Sequence, residues 1–186
     1  MRNLNDLRLY FHRRKLNKQL KSRPQAAIRQ PVNLETAATV GILFDATELK
    51  ERNTVLKFAE NLEKRSKKVK LLGYFDNKME GDNFTFPFYT QNELDWTRIP
   101  QGEEVKKFLD QKFDLLFVLR PQVDIHMEYI AALAYAHLKV GPCTEHTYCF
   151  DLMIDTDPKQ PLSHFISQVE QLLKQTNVKE QKVTSV

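Results

Sequence analysis

Nine of the first thirty residues are basic: Arg2, Arg8, Arg13, Arg14, Lys15, Lys18, Lys21, Arg23 and Arg29. Only one acid, Asp6, stands among them. The whole chain carries a net charge of +4, so the other residues hold a deficit of four. A basic segment ahead of a mildly acidic body points to a polyanion or an acidic surface as its partner. RNA or a ribonucleoprotein, an acidic protein and an anionic membrane surface all fit that chemistry. The candidate contacts are Arg8, Arg13, Arg14, Lys15, Lys18, Lys21 and Arg23. A helix lying on a membrane separates its charged and apolar faces. Here the bases surround the apolar residues, which favours RNA or another polyanion held in a groove.

A second set of polar residues falls at expected strand ends. Open parallel sheets bind ligands beyond the carboxyl ends of their strands. Asp45, Arg120 and His146 lie in such places and mark a possible cleft for a small molecule. Asp45 has no second acid two residues on, since residue 47 is Thr, so a turn and cap role is favoured. Arg120 is the best single candidate for an anion contact there, weighed against a structural salt bridge.

Cys143, His146 and Cys149 share the run PCTEHTYC. Sulfur and imidazole suit zinc, and a Cys–His pair suits nucleophilic chemistry. The run lacks C-x-x-C, a fourth ligand and a group to orient the imidazole. His126 and Glu128 form H-x-E, but the P-C-x-x-C that completes a deaminase pattern does not follow. There is no G-x-G-x-x-G and no Walker A sequence, and the chain has five glycines. No metal or cofactor is expected, and the balance favours a binding or adaptor protein over an enzyme.

The elements that must carry these residues read as follows. Residues 3–22 predict a helix, ended by Ser22-Arg23-Pro24. Its apolar residues fall on two faces: Leu4, Leu7 and Phe11 on one, Leu9, Leu16 and Leu20 on the other. Residues 24–38 hold two prolines and read as a linker. Thr39–Phe44 is a continuous apolar run, suited to a buried central strand. A helix to about Lys64 and a strand from Val69 to Phe75 complete a βαβ unit.

Phe84, Phe86 and Phe88 alternate, and Pro87 confines that stretch to a short or edge strand. Core packing is preferred over base stacking for these rings. A helix is expected from Gly102 to Lys112 and a strand from Leu115 to Leu119. A helix from Ile125 to about His137, a strand from Leu138 to Gly141, a strand from Phe150 to Ile154 and a helix from Leu162 to Gln175 follow.

Alternating strands and helices of these lengths predict an α/β fold: a three-layer sandwich with a mainly parallel, Rossmann-like sheet. The expected divisions are a basic helical extension at 1–23, a linker at 24–38, the α/β domain at 39–176 and a disordered tail at 177–186. No apolar run is long enough to cross a bilayer. The N-terminus lacks an apolar signal region. With two cysteines and no export signal, the expectation is reduced thiols in the cytoplasm.

The basic helix, the VGILFDA strand, KKVKLLGYF and the run FDLLFVL, YIAALAYAHLKVG and FDLMID together resemble a family of small uncharacterised α/β proteins of Bacteroidota. The resemblance covers nearly the whole chain and implies no activity. The segment from FDLLFVL to FDLMI is also similar to the acceptor half of heptosyltransferase-like glycosyltransferases. That similarity implies a Rossmann-like layer order. It carries over no catalytic residue, and the chain is too short for the second nucleotide-binding domain of those enzymes.

Overall fold

The structure, a computed structural model, describes residues 4–23, 32–76, 84–146, 148–157 and 159–175. Residues 24–31 of the expected linker at 24–38, residues 77–83 and the expected tail at 177–186 lie outside the described residues.

Six strands form one sheet: β1 (Thr39–Asp45), β2 (Lys68–Phe75), β3 (Phe88–Thr90), β4 (Lys112–Leu119), β5 (Tyr135–Pro142) and β6 (Leu152–Ile154). Every pairing is parallel, and the order is β3-β2-β1-β4-β5-β6. This is the doubly wound Rossmann order, in which the chain reverses direction across the sheet between β1 and β4.

Among the described residues five α-helices flank the sheet: α1 (Leu4–Ser22), α2 (Leu49–Lys64), α3 (Glu103–Leu109), α4 (Ile125–Leu133) and α5 (Leu162–Gln175). The β1–β2 and β4–β5 crossovers move in opposite directions. Keeping one hand of crossover therefore requires α2 and α4 to lie on opposite faces. They do. Val40, Ile42, Phe44, Leu115, Phe117 and Leu119 pack toward α2 and α5. Leu43, Leu72, Leu116 and Val118 pack toward α1, α3 and α4. The central strands bury both faces, which is why they read as unbroken apolar runs.

The sequence patterns place most elements within a few residues, and α5 falls where expected. The exception is the end of α4. The helical pattern predicts a helix to His137, but α4 stops at Leu133 and β5 begins at Tyr135. Tyr135 pairs with Lys112 and Ala136 with Phe113 in the β4 ladder. Sheet pairing overrides the helix preference of the alanines there. Lys112 likewise belongs to β4 and not to the preceding helix. Phe84, Phe86 and Phe88 gather around Phe75 beneath α2.

Among the described residues, no helix is long and apolar enough to cross a membrane.

Candidate functional site

The basic helix is not a free arm. One face of α1, His12, Leu16 and Leu20, with Arg23 just past its end, follows the three-and-four spacing of a helix face and packs on the body. Leu16 and His12 are buried, and Leu20 packs against the same core. The His12 ring lies edge-on to Tyr129 of α4, and its Nδ1 donates to the Thr97 carbonyl at 2.9 Å. Burial pulls the His12 pKa below its ordinary value, against the weaker upward pull of the Thr97 carbonyl and Asp95. Phe11 packs edge-on against Trp96, with ring centres 5.4 Å apart.

Three cations of the predicted set make the remaining docking contacts. Lys15 donates to Asp95 at 2.7 Å and to the Thr97 hydroxyl at 3.3 Å. Asp95 in turn organises the turn from Asp95 to Ile99, accepting from the Thr97 and Ile99 N–H groups. Arg13 donates to Nε2 of His146, and Nδ1 of His146 donates to the buried Glu128. Arg23 reaches the carbonyls of Leu109 and Leu133, the last residues of α3 and α4. A cation at the negative ends of two helices is well placed.

The other four, Arg8, Arg14, Lys18 and Lys21, are exposed and have no side-chain partner among the described residues. Arg14, Lys18 and Lys21 fall on one side of α1 beside Tyr10, which is 59% exposed. A surface groove of about 790 Å³ runs here. Among the described residues it is lined by Asp6, Leu9, Tyr10, Arg13, Arg14, Asn17, Lys18 and Lys21.

The possible cleft divides. Asp45 and Arg120 meet at the carboxyl ends of β1 and β4, 3.2 Å apart. Arg120 also holds Asp124, the N-cap residue of α4, at 2.8 Å. His146 belongs instead to the α1 contact with Arg13 and Glu128. The ring of His126, from the first turn of α4, packs at a tilt against Tyr74 and receives the Tyr89 hydroxyl at Nδ1, 2.8 Å away. The His126 ring and the Arg120 charge hold the Asp124 carboxyl down at about 2, against the opposing effect of burial. Glu51 lies on the other flank. Burial and the Asp45 charge push its pKa up.

Sequence reasoning did not single out His12, Tyr74 or Asp124 as site residues. For His12 the signal was its spacing from Leu9 and Leu16. The others become neighbours only through the strand order.

Cys143 and Cys149 are free thiols, the first exposed and the second buried. Burial pushes the Cys149 thiol up to about 12, with Glu128 adding to the shift, so it is a poor nucleophile. Among the described residues no three His, Cys, Asp or Glu side chains are grouped to hold a metal ion.

No curated protein matches the chain. A family model does, over residues 8–176, a span that takes in α1 from its second turn as well as the whole sheet. The chain therefore belongs to DUF6913, a family of unknown function.

Proposed function

We propose that this is a non-enzymatic cytoplasmic binding protein that holds single-stranded RNA, free or within a ribonucleoprotein, along the outer face of α1. The observation that carries this reading is the division of labour among the cations. Arg13, Lys15 and Arg23 bond to the body, whereas Arg14, Lys18 and Lys21 stand free along one groove beside Tyr10. Positive charge without a structural partner lowers stability through self-repulsion. A polyanion compensates that repulsion.

From Arg14 to Lys21 the helix rises by about 10 Å, enough to follow more than one phosphate. An exposed tyrosine beside such a row offers a base a stacking surface. The docked helix is rigidly presented, so binding does not have to order it first.

Deleting α1 would strip Leu16 from the core, so the charges are better removed in place. The test is the triple variant Arg14→Gln, Lys18→Gln, Lys21→Gln, measured against single-stranded RNA across a salt series. Three lost phosphate contacts should reduce the slope of log K against log salt by about 2. Tyr10→Ala should weaken binding by roughly tenfold, as loss of one stacked base does. Unchanged affinity and slope in the triple variant would sink the proposal. Transfer of binding to anionic vesicles or an acidic protein would replace RNA as the partner.

A further inference from the structure

A different part of the molecule carries a second binding reading. At the point where β1 and β4 diverge, α4 begins with Asp124 as its N-cap. An N-cap aspartate ordinarily turns its carboxylate onto the N–H groups of the first helical turn. Here no side chain caps the helix. The carboxylate points instead to Arg120, whose Nη1 donates to its Oδ2 at 2.8 Å.

His126 faces the same oxygen. It is fully buried. Its Nδ1 is occupied by Tyr89. The Asp124 carboxylate facing Nε2 favours the ring proton on that nitrogen, so Nδ1 accepts from the Tyr89 hydroxyl. The ring proton is then on Nε2. That nitrogen has no hydrogen-bond partner and lies 3.5 Å from Asp124 Oδ2, within ion-pair reach but without a hydrogen bond. A buried N–H without an acceptor is costly and rare.

A guanidinium and an unsatisfied imidazole N–H therefore face one negatively charged oxygen, beside a helix N-terminus that no side chain caps. Helix N-termini of this kind bind anions. We propose that Arg120, His126 and the N-terminus of α4 form a receptor for the oxyanion group of a small molecule, a phosphate or carboxylate, in which the Asp124 side chain is a built-in competitor. Binding turns the Asp124 carboxylate outward to solvent and leaves the N-terminus of α4 to the anion. The exchange replaces one negative charge by another. Asp45 holds the far side of the guanidinium, and its Oδ1 is fixed by the Thr47 N–H. Arg98 adds a second positive charge close enough to act on His126 and Tyr74. Asp76, bonded to the Tyr74 hydroxyl, opposes it. Arg98 sits in the left-handed backbone region, φ 64°, where glycine is the comfortable residue.

The experiment titrates the full chain with inorganic phosphate and, separately, acetate, at constant ionic strength. Heteronuclear NMR follows the His126 ring nitrogens. The triple α1 variant serves as background, so that groove cations do not contribute. Asp124→Asn removes the competing charge and should tighten phosphate binding about tenfold, while Arg120→Gln should weaken it at least as much. Arg98→Gly suits the left-handed backbone at that position, and its melting temperature checks that it folds. It should weaken binding several-fold while raising the melting temperature. Preference for phosphate over acetate, or the reverse, names the group. Equal affinity in the background protein, Asp124→Asn and Arg120→Gln overturns the proposal, as does an Asn variant that binds more weakly.

Discussion

Arg13 Nη2 lies 3.1 Å from His146 Nε2, joining the N-terminal helix to a loop 133 residues away. A guanidinium can only donate, so the imidazole accepts at Nε2 and carries its proton on Nδ1, where it donates to Glu128 at 2.9 Å. His12, buried in the same contact, is held toward its neutral form by burial.

The docking of α1 should therefore weaken in acid. His12 has a folded pKa below its ordinary value of 6.5, mainly through burial. The folded state then binds fewer protons than the unfolded one, so stability rises with pH. The contribution is complete above about 6.5 and is lost as pH falls from there through the folded pKa. Trp96, the sole tryptophan, packs on Phe11 and reports the contact. Its emission should change over that window, and His12→Gln should flatten the change. An identical profile in both proteins would show that another group titrates.

Leu16→Ala should cost about 2–4 kcal/mol in urea unfolding, since it empties a fully buried site between α1 and the core. A loosely tethered arm would lose well under 1 kcal/mol.

Arg23→Ala should cost about 2–3 kcal/mol, because two helix-terminal carbonyls lose a charged donor. Arg8→Ala, on the exposed side, should stay within about 0.5 kcal/mol. Comparing the two unfolding curves separates cations that hold the fold from those that face solvent. Equal effects would contradict that division.

Gly141→Ala should destabilise by about 1–3 kcal/mol. A methyl group there would strike the ring of buried Phe150, and overpacking of this kind forces a shift of ring or backbone. A thermal melt decides it, and an unchanged midpoint would mean the ring moves at little cost.

Much of the fold was legible because parallel strands buried on both faces leave unbroken apolar runs. Val40 to Phe44 and Leu115 to Leu119 are such runs. The strand order was not legible, since it depends on which sheet face each helix covers. The end of α4 misled for a related reason. Ala131, Ala132, Ala134 and Ala136 continue a helical pattern, yet Tyr135 and Ala136 already pair with β4. Nothing local in the sequence announces that pairing.

The sites were legible in a different measure. The surplus of bases was plain, but composition does not distinguish Lys15, which grips Asp95, from Lys18, which grips nothing described. Asp45 and Arg120 were named from their places at strand ends, and they meet. His146 was named on the same ground and sits elsewhere, because β5 is a strand further along the sheet than β4.

The seating of α1 also fixes an order of events in synthesis. The helix precedes the sheet in the chain, but its partners Asp95, Thr97, Leu109, Leu133 and His146 follow by 80 to 133 residues. Contacts this distant in sequence form late. The nascent helix must wait, cations unpaired, until five of the six strands have been made. It precedes every strand of the sheet in the chain and is among the last elements to be seated.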